Sequence, residues 1–122
     1  MITKPWDYIP CPNLHVFNDV EKLKKFAIEN YGCEVSTINK DGFTSTIYCD
    51  NGDISCLVYI KNQKYDTGEL AGLIAHEATH VSQEFFESIG ETNPSHEMQA
   101  YYTQTFVICI MQAYKKLAKG KK

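Results

Sequence analysis

Two dipeptides do most to limit what this chain can fold into. Asp41-Gly42 and Asn51-Gly52 interrupt a stretch that is otherwise rich in Val, Ile, Thr, Tyr and Phe. Both favour the positive φ angles of tight hairpin turns. They divide the stretch into three expected strands, residues 33–39, 43–49 and 54–60. Strands joined by turns this short can only run antiparallel, so the pattern predicts a three-stranded antiparallel meander. In the third strand Ile54, Cys56, Val58 and Ile60 alternate onto one face.

Helices are expected on both sides of the meander. Asn18 with Glu21 predicts the start of the first, Val20, Leu23, Ala27 and Tyr31 give its apolar stripe, and Gly32 ends it. A second helix is expected from about Thr67 to Ile89, opened by the pair Asp66 and Glu69 and stopped by Gly90. Leu70, Leu73, Ile74, Val81 and Phe85 are its core residues. A third is expected from Pro94, at the first helical position, to about Lys119. Ala100, Phe106, Val107, Ile110, Met111, Tyr114 and Leu117 fit its buried side. Residues 1–17 carry Pro5, Pro10 and Pro12 among aromatics and read as an irregular arm pinned by Trp6, Tyr8 and Phe17. The expected fold class is α+β: an N-terminal helix, a three-stranded meander and two long helices, all in one domain of 122 residues.

The net charge of −3 gives no electrostatic case for nucleic acid. The basic run at Lys115, Lys116, Lys119, Lys121 and Lys122 suits the carbonyl end of a helix. No apolar run spans a membrane and no secretory signal is evident. The five cysteines are odd in number and lack a C-x-x-C pair; Cys56 and Cys109 sit in apolar runs. Reduced thiols in a cytoplasmic protein are the expectation. His15 is expected at the surface of the arm.

Chemistry concentrates on the second helix. His76 and His80 are one turn apart on one face, so both imidazoles reach one divalent ion. Glu77 is rotated about 100° from them and can take a proton from water activated by that ion. A catalytic zinc centre uses a third protein ligand. Glu97 is the candidate, with His96 as its rival.

His76-Glu77-Ala78-Thr79-His80 followed by Glu97-Met98-Gln99-Ala100-Tyr101 resembles the gluzincin branch of the zincin metallopeptidases. The resemblance spans roughly residues 54–105 and implies a zincin-like fold. It implies one Zn2+ held by His76, His80 and Glu97, with Glu77 as general base in peptide-bond hydrolysis. It implies close helix approach at Ala100 and support of a histidine ligand by Tyr101. It also implies that residues 54–60 form an edge strand that pairs with an extended peptide or protein substrate, with Cys56, Val58 and Tyr59 at the contact. Large members of that branch take oxyanion donors from a C-terminal subdomain; here the donor is expected from Tyr65, Tyr101, Tyr102, His96 or the N-terminal arm. The alternative is a zincin-like domain that binds metal or a partner without turnover.

Overall fold

The computed structural model describes residues 2–3, 10–36 and 40–120. Its elements are β1 (Ile2–Thr3), β2 (Asn13–Phe17), α1 (Val20–Tyr31), β3 (Gly42–Tyr48), β4 (Ile54–Ile60), α2 (Thr67–Ser88) and α3 (His96–Gly120). The class is α+β, with a sheet ordered β1-β2-β4-β3.

Among the described residues, the second hairpin of the expected meander is the one that forms. β3 and β4 pair antiparallel, with Thr44 opposite Val58. Of the expected first strand, residues 33–36 are irregular, and 37–39 lie outside the described residues. The edge of β4 that the expected meander leaves free is instead taken by β2, which pairs parallel, Asn13 opposite Ser55 and Phe17 opposite Tyr59. The arm is therefore not irregular throughout. Its last five residues form an inner strand, with β1 antiparallel on its far side. Trp6 and Tyr8 lie outside the described residues.

Pairing on both sides makes β4 a central strand, and all seven of its residues are buried. This overturns its expected role as a substrate-pairing edge, because its backbone donors and acceptors face β2 and β3. In the described sheet the edge beside the helices belongs to β3.

The two faces of the sheet are covered differently. Leu14, Val16, Cys56 and Val58 pack against Ile74, Ala78, Val81 and Phe85 of α2 and Phe106 and Ile110 of α3. On the other face Phe17, Leu57 and Tyr59 meet Leu23 and Ala27 of α1. Fully burying one such Leu or Phe is worth about 1.5–3 kcal/mol. His15, expected at the surface, lies on the α1 face of β2 and is 3% exposed. It packs against Phe26 and meets the Tyr31 hydroxyl at 3.3 Å.

The helix ends follow local chemistry. Asp19, rather than Asn18, caps α1 by accepting from the backbone N–H groups of Glu21 and Lys22. Gly32 closes α1 at φ 63°, where a side chain would be strained. Asp66 and Glu69 form a reciprocal capping box on α2, with Glu69 N donating to Asp66 Oδ1 at 2.7 Å. Ser95, not Pro94, opens α3: its Oγ accepts from Met98 N at 3.1 Å. No helix among the described residues is long and apolar enough to cross a membrane. Among the described residues no cysteine pair forms a disulfide.

Candidate metal centre

α2 lies along β3, and the cleft between them brings the motif residues together. His76 and His80 stand on the exposed side of α2, with their Nε2 atoms 3.2 Å apart and their rings nearly perpendicular at 79°. Two nitrogens bound tetrahedrally to one zinc at 2.0–2.1 Å lie about 3.3 Å apart. The pair therefore already has the spacing of two ligands on one ion. Gln83 lies one turn beyond, its Oε1 3.2 Å from His80 Nδ1. Accepting from Nδ1–H keeps the proton there and leaves the Nε2 lone pair for an electrophile.

Glu77 points towards the sheet and is only 2% exposed. The Thr44 hydroxyl donates to its Oε1 at 2.8 Å. A buried carboxylate needs such a donor, and β3 supplies it. Gly42 makes the approach possible. A Cβ there would fall 2.9 Å from Tyr59 O, 3.1 Å from Leu73 Cδ1 and 3.4 Å from Glu77 Oε2.

The cleft has a volume of about 280 Å³. Lys40, Gly42, Phe43 and Thr44 form one wall, and His76, Glu77, His80 and Glu84 form the other. A larger hollow of about 500 Å³ lies where the end of α2 meets the loop before α3, lined by Ser82, Phe86, Glu87, Asn93 and Gln99 among others. The two histidines line the smaller space.

The other expected site residues lie elsewhere. Among the described residues no group of three His, Cys, Asp or Glu side chains is placed to hold a metal. Glu97 and His96 are exposed in the first turn of α3. Ser82 Oγ meets Thr103 Oγ1 at 2.8 Å, while Tyr114 bonds to the backbone just before α2. The two helices thus run antiparallel, with Glu97 level with the end of α2. At 1.5 Å per residue that is about 12 Å along the axis from His80. Ala100 is exposed rather than at the helix contact, where Ser82 and Thr103 meet instead.

None of the four residues expected as oxyanion donors lines the cleft. Tyr65 donates to Lys61 O at 2.8 Å, and burial pushes its pKa up to about 12. Tyr102 donates to Pro10 O and stacks on Phe85, and burial raises its pKa also. Tyr101 is 62% exposed on α3, and His96 is exposed in the first turn of that helix. Of the expected substrate contacts, Cys56 and Val58 are core residues, and burial pushes the Cys56 thiol up to about 12. Tyr59 faces α1.

Sequence reasoning missed Lys40, Gly42, Thr44, Gln83 and Glu84. Gln83 and Glu84 carry a local signal, because three and four residues beyond His80 is the same helix face. The β3 residues carry none, since only the tertiary fold sets them beside α2. No family model, curated protein or solved structure matches this chain.

Proposed function

We propose that this chain is a zinc-dependent peptidase with a zincin-like architecture. The observation that carries the reading is the 3.2 Å separation of His76 Nε2 and His80 Nε2 beside the buried Glu77. His76 and His80 hold the ion, and Glu97 is the third donor that its motif supplies. Glu97 stands about two turns of helix away, at 5.4 Å per turn, so its ligation requires the first turn of α3 to move towards the pair. When bound, zinc supplies Lewis acidity that makes water a stronger acid and polarises a carbonyl.

The protein's own groups do the rest. Glu77, held by Thr44, takes the proton of the attacking water and delivers it to the leaving amine. Gln83 keeps His80 in the tautomer that presents Nε2. β3 offers the backbone edge that the resemblance had assigned to residues 54–60, and an extended peptide lying along it crosses the cleft. The support is the sheet edge beside the motif helix, the donor spacing and the carboxylate held between them.

The test is metal content followed by turnover. Protein purified without a histidine tag should hold one zinc per chain and cleave an unfolded protein substrate. Glu77→Gln should keep the zinc and lose cleavage. Cleavage retained in Glu77→Gln, or zinc that binds no better to the native chain than to His80→Ala, would overturn the reading.

A further inference from the structure

The cleft is electrically polar along its length. Lys40 lines it just before β3 begins, and Glu84 lines it on the side where β3 ends. Glu84 is tied to that end by the Tyr48 hydroxyl, which donates to its Oε2 at 3.1 Å. Six strand steps separate Gly42 from Tyr48, about 20 Å at 3.3–3.4 Å each. The Thr44–Glu77 contact marks the level of the chemistry between the two ends.

This polarity fixes which way a peptide lies. In an antiparallel arrangement the C-terminal half of the peptide runs towards Lys40 and its N-terminal half towards Glu84. A parallel peptide would bring its amino end to the cation and its carboxylate end to the acid. Antiparallel pairing is also slightly more stable per residue. Like charges brought together at both ends penalise the wrong orientation more than any one contact favours the right one.

Resting on the peptidase reading above, we infer that Lys40 and Glu84 select peptides by charge order: acidic residues or a free carboxylate on the C-terminal side of the cut, basic residues or a free amine on the N-terminal side. Lys40 is four residues from Thr44, about 13 Å along an extended chain. Its preference therefore falls about three to four residues beyond the cut bond.

Two fluorescently labelled octapeptides with the same apolar centre test this. One carries Lys-Lys at its N-terminal end and Glu-Glu at its C-terminal end, and the other has the two ends exchanged. Binding is measured by fluorescence anisotropy on the zinc-loaded full chain carrying Glu77→Gln, in low and high salt. The first peptide should bind at least tenfold tighter in low salt, and high salt should shrink the gap. Adding Lys40→Glu and Glu84→Lys together should reverse the order. Equal binding, a preference for the second peptide, or a preference that survives the double exchange would each overturn the inference. Cleavage by the native chain is scored separately. Charge-ordered binding without cleavage sinks the peptidase reading and leaves the polarity standing, whereas cleavage of both peptides at equal rates does the reverse.

Discussion

The Thr44 hydroxyl donates to Glu77 Oε1 at 2.8 Å, joining the edge strand to the motif helix at the candidate base. Removing that donor leaves a buried carboxylate oxygen without it, at a cost of about 1–3 kcal/mol. Thr44→Val should therefore lower stability by roughly that amount in urea unfolding and reduce the rate of peptide hydrolysis at least tenfold. Thr44→Ser keeps the hydroxyl and should restore most of both. Equal activity in the Val and Ser variants would show that the contact has no part in turnover.

Zinc affinity separates the candidate ligands. His76→Ala and His80→Ala should each weaken zinc at least a hundredfold in competition with a chelating dye, and Glu97→Ala at least tenfold. Glu84→Ala should change it less than threefold. If Glu84→Ala is the damaging one, the third donor lies on α2 itself and α3 stays where it is.

His15 should make stability depend on pH. Burial lowers its pKa from 6.5 to about 4. Between those values the unfolded chain takes up a proton that the folded chain refuses. Stability attributable to His15 is therefore complete above pH 6.5 and falls as the pH drops towards 4. By pH 4.5, where the titration is incomplete, the loss is about 2 kcal/mol. Chemical unfolding at pH 7.5 and pH 4.5 should show it, and His15→Gln should flatten the difference. A slope unchanged in His15→Gln would assign it to other groups.

Gly42→Ala should destabilise the chain by about 1–3 kcal/mol, because the added methyl group overpacks a tight contact. The nearest atom, Tyr59 O at 2.9 Å, is backbone and cannot rotate away. The same change should impair hydrolysis, since relief of the clash pushes β3 from α2. A variant with the native melting temperature and native activity would contradict this packing.

What could be read from the sequence was what is encoded locally. The capping box of Asp66 and Glu69 and the His76–His80 spacing both lie within single turns of helix, and both are present. The pairing of β3 with β4 was legible because Asn51-Gly52 sits between them. β2 was hidden because its partner is distant in sequence and because Pro10 and Pro12 precede it. A strand buried on both faces also lacks the alternation of a half-exposed one, which is why His15 read as a surface residue. The cleft wall was illegible for the same reason: nothing near Thr44 in sequence announces Glu77.

The parallel pairing of β2 with β4 also sets a timetable. The β3–β4 hairpin closes over a short turn, and α2 and α3 meet over a short loop, so both form through local contacts. β2 reaches β4 only after α1 and the whole of β3 have been traversed, and long-range closure of this kind slows folding. The cleft between β3 and α2 is itself closed over a long stretch of chain, Thr44 to Glu77. Its two walls form from local contacts, but the candidate site, like the sheet, is completed only by long-range closure.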